Sequence, residues 1–548
     1  MRALSALAYF CAIAVWLTWP LSARLGTALN PGPDSLLNYW ALGWNFHALW
    51  SDPSAFFDAN IFAPRPDTLA YSEHLFGIAA VVWPIFAVTG NLVLTNNVAI
   101  LLSFVVAGFG MFLLVRQLTE SGWAGLVSGT VLLAAPYRFA HIGQLQLLSF
   151  HWIPIVLWCV LRFLSTGERR FLVGVVVSSL LQILSCNYYA VYLALSIVVL
   201  VCVLLVAGRS VLTRSVVLRS SVGIAVVSLV ALPFFLPYLR NQESGFYRRY
   251  EDVVQFSAEP MDYLRPSSFN KAPHMEWLPK QVRSEKALFP GALAIVLAAF
   301  GVFYGARATK RSPLGRAFWI FFCVLGALAF VLSLGPETAA GTPLPYRYFY
   351  RHVPGFGGMR APARMAVLAL VATAALAGFG TLGLSRRTRS WVGAGVVALM
   401  LFEYQTYSLG RAIPDAPEVP LIYGQLAKLP RGVVLELPIH EGEAITRESV
   451  YMYYSTTHWM PLVNGFSGWW PNDYWEVVGR LRHFPTARIL RFLLERAPVR
   501  YVVIHYDRFA EPRRRNLEDA MHRYRERMPV RARVGDDVLY EISSDDSR

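Results

Sequence analysis

Residues 3–21 read ALSALAYFCAIAVWLTWPL, a run without a charge that follows Arg2. One bilayer crossing needs about 20 such residues, whereas the apolar region of a cleaved secretory signal is only ~7–15 residues long. The segment is therefore read as an uncleaved first helix with its N-terminus inside. Further apolar runs lie near 97–117, 122–136, 150–165, 171–187, 188–208, 217–238, 289–306, 315–334, 363–384 and 390–409, which makes eleven with the first. A twelfth run, 75–89 (LFGIAAVVWPIFAVT), is short and holds Pro84.

Composition agrees with a chain that lives in lipid. Of 548 residues 55% are hydrophobic and 16% charged, against about 25% charged in soluble domains. Disorder, coiled coil, collagen and a disulfide-stapled fold are excluded. The five cysteines, Cys11, Cys159, Cys186, Cys202 and Cys323, sit in or at the ends of apolar runs with no C-x-x-C pair. They read as packing residues, and no metal-ligand set is assigned.

Charge decides the topology. If 75–89 does not cross, the inner loops hold Arg116, Arg162, Arg169, Arg170, Arg209, Arg214, Arg219, Arg307, Lys310, Arg311, Arg316, Arg386, Arg387 and Arg389, with Glu120 and Glu168 as their acids. That is the positive-inside pattern. A crossing at 75–89 moves most of these arginines outside, so this segment is read as lying at, or dipping into, the outer surface. The net charge of +15 is then mostly a topology signal, and residues 410–548 carry 20 basic and 19 acidic residues. Nucleic acid is not an expected partner.

The expected fold is an α-helical polytopic membrane protein with about eleven transmembrane helices and a small C-terminal α/β domain outside. Residues 1–409 form the membrane domain, with long outer loops at 22–96, 239–288 and 335–362; residues 410–548 form the soluble part. In the latter VVLELPI (433–439), RYVVIHY (500–506) and VLYEI (538–542) read as buried strands, and 473–497 as a helix interrupted by Pro485. No nucleotide-binding G-x-x-x-x-G-K-[ST] signature occurs.

The chemistry is sought in PGPDSLLNYW (31–40). Pro and Gly stop the first helix at the outer interface, and Asp34 is placed to cap a helix running from Ser35. Spacing puts Trp40, Trp44 and His47 on one stripe of that helix, expected along the membrane surface, where Trp is favoured. His47, Glu73, His74, Arg138, His141, Arg347, Arg351, Arg360 and Arg364 gather at or near outer helix ends. A carboxylate beside apolar walls suits a general base, and outer arginines suit a lipid-linked phosphate, which they grip in bidentate fashion. Glu403, near the end of the last run, must find a partner or water, an outer arginine being one candidate, and reads as a functional candidate.

With its first helix, early acidic residue in a long outer loop, about eleven further apolar segments and outer C-terminal domain, the chain resembles the GT-C glycosyltransferases over residues 1–548. PDSLLNYW, PGFGGMRAPAR (354–364), NGFSGWWP (464–471) and RYVVIHYD (500–507) are similar to segments of bacterial membrane glycosyltransferases of this type. The resemblance implies a multi-pass protein of the bacterial inner membrane, with the N-terminus cytoplasmic and the C-terminal domain periplasmic. It implies transfer of a sugar from a polyprenyl-phosphate donor to a lipid, glycan or protein acceptor. Asp34 then takes the place of the first-loop catalytic carboxylate. Many members carry paired acids there; this chain has Asp34-Ser35, so Glu73 is the candidate second acid, and a divalent cation is left open. Asn38, Trp40, His47, His74, Arg138, His141, Arg347, Arg351 and Arg360 are the donor-binding candidates, with Trp40, Trp44 and Trp50 proposed to stack on sugar faces. The competing readings are a flippase or transporter of lipid-linked sugars and a surface-polysaccharide polymerase or ligase. Carriers usually show inverted repeats and midplane charges, and neither is visible here.

Overall fold

The computed structural model describes residues 3–30, 34–207, 209–271, 275, 278–309, 312–383, 389–405 and 413–543. Pro31–Pro33, Lys310, Arg311, Arg386, Arg387 and the end of the 390–409 run lie outside the described residues.

In chain order the first helices are α1 (Ala3–Leu17), α2 (Ser35–Ser51), α3 (Phe76–Thr89), α4 (Leu92–Thr119), α5 (Gly122–Ala134), α6 (Pro136–Ala140) and α7 (Leu145–Leu148). Then come α8 (Trp152–Thr166), α9 (Arg169–Ile183), α10 (Asn187–Ala207), α11 (Arg214–Glu243), α12 (Tyr250–Gln255), α13 (Ala292–Ala308) and α14 (Pro313–Ser333). They are followed by α15 (Tyr346–His352), α16 (Ala366–Gly380), α17 (Arg389–Glu403) and α18 (Leu421–Leu426). The remainder is β1 (Val433–Leu437), α19 (Glu448–Ser455), α20 (Asn472–Leu481), α21 (Ala487–Arg496), β2 (Val499–His505), α22 (Glu511–Arg523), β3 (Val530–Val534) and β4 (Asp537–Glu541).

Among the described residues six helical stretches are long and apolar enough to cross a membrane: 92–119, 145–166, 187–207, 214–243, 313–333 and 362–383. Shorter apolar helices stand at 3–17, 76–89, 292–308 and 391–403. The chain is thus a mostly helical, multi-pass membrane protein. The runs near 122–136 and 171–187 form helices of 13 and 15 residues, the first stopped by the extended backbone of Ala135 ahead of Pro136. Helix α3 has 14 residues, so its length of about 21 Å is below the ~30 Å of a hydrocarbon core.

The chain divides into two compact units. The first comprises residues 1–32, 75–235 and 247–414. Its centre is α16, buried along nearly its whole length and packed against α13, α14 and α5. Two glycines set the closest approach: a Cβ on Gly301 would stand 1.9 Å from the Leu376 carbonyl oxygen, and one on Gly380 would stand 2.1 Å from that of Leu297. Small residues let membrane helices approach backbone to backbone in this way. Glu403 finds backbone partners. Its carboxylate accepts from the backbone N–H groups of Ala292 (2.6 Å) and Leu293 (3.3 Å) at the start of α13, where a helix leaves donors unsatisfied and favours negative charge.

The second unit joins residues 33–74 and 236–246 to 415–548. Its sheet has the order β1-β2-β4-β3, with β1 parallel to β2 and the other pairs antiparallel. Helices cover both faces, α20, α21 and α22 on one and α18 and α19 on the other, as apolar strands require. The helix expected over 473–497 is two helices, α20 and α21, parted around Pro485. First-loop residues are built into this unit: Phe62 and Ala63 donate to the carbonyls of Asn464 and Leu462, and Leu462 donates to that of Asn60. Helix α2 packs on α19.

Candidate functional site

In the second unit Asp34 stands at the N-cap position of α2, yet its side chain makes no capping hydrogen bond. It is half-buried, and Asn38, one turn on, is buried. The stripe of Trp40, Trp44 and His47 corrects an expectation. It does not lie along an interface: Trp40 and Trp44 are buried, their indole N–H groups donating to Asn60 Oδ1 (2.9 Å) and the Phe56 carbonyl (2.8 Å). His47 stacks on Trp459 at 4.8 Å, and burial lowers its pKa. A buried indole takes a hydrogen-bond partner wherever the fold supplies one, and here loop and tail supply it. Of the three tryptophans proposed for sugar stacking, Trp50 is exposed.

Glu73 is half-buried and His74 fully buried. The His74 backbone carbonyl accepts from Asn45, and its ring lies among those of Phe57 and Tyr238. Burial pushes the His74 pKa down to about 3, so at neutral pH the ring offers no positive charge to a phosphate.

In the first unit Arg138 is fully buried, its guanidinium 4.6 Å from the centres of the Phe104 and Phe150 rings. It donates to the carbonyls of Ser103 (2.6 Å) and Leu148 (3.3 Å), so it ties α6 to α4 and α7. His141 is buried beside Tyr137 and donates through Nδ1 to Gln144 Oε1 at 2.6 Å. Arg347 and Arg351 on α15 flank Tyr250, whose hydroxyl donates to Glu337 (2.9 Å).

A cluster of charge in this unit surrounds Tyr188 at the start of α10. The Tyr188 hydroxyl accepts from the Arg360 backbone N–H at 3.0 Å, while the Arg364 guanidinium lies 4.7 Å from its ring centre. Arg360 in turn places its guanidinium 4.7 Å from the centre of the Phe256 ring. Arg364 makes a two-point pair with Glu285: Nε reaches Oε2 at 2.9 Å, and its second nitrogen bonds Oε1. Burial would raise the Glu285 carboxyl, but Arg364, helped by His141 and Arg360, holds it down at about 2. Arg248 is the third guanidinium, with Tyr188, Arg360 and Arg364 among its electrostatic neighbours. The buried hydroxyls of Tyr192 and Tyr346 have no hydrogen-bond partner among the described residues. Both tyrosines neighbour Tyr188.

The sequence reading named Arg360 and Arg364 and passed over Glu285, Tyr188, Tyr192, Tyr346 and Arg248. Glu285 had one visible signal, an acid just ahead of the 289–306 run. Separately, a cavity of about 390 Å³ lies between α13, α14 and α16, lined by residues such as Tyr263, Pro290, Phe330 and Leu376. Among the described residues no cluster of His, Cys, Asp and Glu is suited to a metal ion.

The second unit also holds a buried polar network. His505 lies 2.6 Å from Asp537 and 3.2 Å from Glu436, beneath the ring of Tyr451. Nearby, Glu448 accepts from His440 and Asn464. These pairs join β1, β2 and β4 to α19 and read as structural.

No protein-family model matches the chain, and no curated protein matches it. Solved structures do. The Archaeoglobus fulgidus oligosaccharyltransferase in its apo form aligns over 92% of this chain and 70% of its own, at 12% identity and a TM-score of 0.51. The arabinofuranosyltransferase AftD from Mycobacteria aligns over 98% of this chain and 40% of its own, at 16% identity and a TM-score of 0.55. ArnT from Cupriavidus metallidurans, bound to undecaprenyl phosphate, aligns over 99% of both chains at 15% identity and a TM-score of 0.47. The fold likeness rests on the first two. This chain is similar in fold to the oligosaccharyltransferase and to the arabinofuranosyltransferase.

Proposed function

We propose that the chain is a glycosyltransferase of the GT-C type, moving a sugar from a polyprenyl-phosphate donor to an acceptor on the extracytoplasmic side. The observation that carries this reading is the anion-ready cluster in the membrane unit. Arg248, Arg360 and Arg364 gather around Tyr188, and Glu285 directs both carboxylate oxygens at Arg364. The Arg360 guanidinium and the two buried tyrosine hydroxyls are then placed to meet a phosphate, in surroundings where charge-assisted hydrogen bonds are strong. The apolar cavity between α13, α14 and α16 is of a kind that suits an isoprenoid tail.

The rest of the chemistry is proposed from the resemblance of the first loop to that of the GT-C glycosyltransferases. The acceptor hydroxyl or amine gives its proton to Asp34 as its lone pair attacks the anomeric carbon. The bond from that carbon to the phosphate oxygen breaks, and the polyprenyl phosphate leaves with its charge neutralised by the arginines. The attack comes from the opposite face, so the anomeric configuration inverts. Glu73 is the second acid of this proposal, and Arg347 and Arg351 extend the basic surface of the phosphate site. Eleven crossings with the C-terminal unit in the periplasm put this chemistry on the outer side.

The test has two readouts. Lipid mass spectrometry of the purified full-length protein should find a polyprenyl phosphate that Arg360→Gln loses and Asp34→Asn keeps. In membrane vesicles carrying the cell's own lipid-linked sugars, Asp34→Asn should lower transfer at least 100-fold, the lower bound for a general base. Wild-type transfer by Asp34→Asn removes it from the mechanism, and lipid retained by Arg360→Gln removes the phosphate site.

A further inference from the structure

A second cavity in the membrane unit, of about 460 Å³, is walled by Gln255, Phe256 and residues 282–286. Its volume falls in the range of small-molecule pockets, roughly 300–1,000 Å³. Two of its wall residues are shared with the arginine cluster. Phe256 carries Arg360 on its ring, and Glu285 is held by Arg364 through both carboxylate oxygens. The cavity and the phosphate cluster are therefore neighbours across one layer of side chains.

We infer that this cavity receives the sugar of the lipid-phosphate donor, and that the sugar is an acidic one. The inference rests on the reading that the arginines hold the donor phosphate. In a glycosyl phosphate one oxygen separates the anomeric carbon from phosphorus, so the sugar must occupy space adjoining the phosphate site. Charge decides the class of sugar. The wall carries Arg283 and Lys286, and the charge of its one acid, Glu285, is already taken by Arg364. Lys286 is buried and paired with Glu259 at 2.6 Å, but that glutamate side chain is 64% exposed, so water screens it and a bound carboxylate can replace it. Ser284 and Gln255 offer neutral hydrogen bonds to ring hydroxyls. A neutral hexose needs those hydrogen bonds and the Phe256 ring; it has no use for two cations, whereas a uronic acid does.

Calorimetric titration of the full-length protein in nanodiscs with glucuronic acid 1-phosphate and glucose 1-phosphate tests this, because the probes share a phosphate and differ by one carboxylate. The acidic probe should bind about tenfold more tightly, the order expected of one charge-assisted hydrogen bond. Arg283→Gln should reduce the preference to about twofold or less, through loss of affinity for the acidic probe. Glu259→Gln, which frees Lys286 from its competitor, should widen it. Arg360→Gln should weaken both probes alike. Equal binding by the wild type, or an unchanged preference in Arg283→Gln, overturns the acidic-sugar pocket and leaves the phosphate site standing. If neither probe binds although polyprenyl phosphate co-purifies, the headgroup pocket is wrong and the lipid site survives. If no lipid co-purifies either, both proposals fail.

Discussion

Glu285 and Arg364 show how a single pair shapes the arginine cluster. The folded carboxyl sits at about 2 against an ordinary 4.5, a difference equivalent to about 3 kcal/mol. The sign follows from linkage. The folded pKa is depressed, so the stabilisation is complete above about pH 4.5 and is withdrawn as the pH falls toward 2, because the unfolded carboxyl takes its proton first. Glu285→Gln should therefore cost about 3 kcal/mol at neutral pH, since it leaves a buried guanidinium without its counter-charge. Thermal unfolding in detergent at pH 7 and across pH 5 to 3 checks this: the gap between wild type and variant should close as the pH drops. An unchanged Tm at pH 7 would rule the pair out as a stabilising element. The sequence named Arg364 because arginines at outer helix ends are conspicuous. It missed Glu285 and Tyr188 because one acid and one tyrosine in a long loop or at a helix start carry no periodic signal. Their meaning comes from which arginine the fold sets against them.

At the scale of elements, spacing in the sequence was a good guide where burial imposed it. The strands read at 433–439, 500–506 and 538–542 stand at 433–437, 499–505 and 537–541. The missing strand, β3, reads VRARV and lies at the sheet edge with its side chains largely exposed. Charged edge strands hide from a search for apolar runs for the same reason that they resist aggregation. The tryptophan stripe on α2 was correctly periodic and wrongly placed, because periodicity names a face and not the surface that covers it. The crossing of α13 and α16 supplies the element-scale prediction. Gly301→Ala puts a methyl group against the Leu376 carbonyl and should cost about 1–3 kcal/mol. Gly395→Ala, whose Cβ would meet nothing within 4 Å, should change stability by less than about 0.5 kcal/mol. Thermal melts of the two variants in the same detergent decide it, and equal losses would refute the close crossing.

At the scale of the molecule, arginine placement predicts the orientation. A reporter active only in the periplasm, fused at residue 410, should be active, and one active only in the cytoplasm should be silent there. The opposite result overturns the eleven-crossing topology, and with it the placement of Asp34 outside. The sequence by itself determined the environment of this chain, its helical class and the strands of its tail, because burial in lipid or in a sheet requires uninterrupted apolar runs that composition reveals directly. Only the tertiary structure decided that residues 33–74 belong with the tail, that Glu403 caps α13, and that Glu285 and Tyr188 meet the arginines of 360–364. Those outcomes depend on contacts between residues tens to hundreds of positions apart, made by single polar groups, and one side chain seeking one partner leaves no repeat in a sequence.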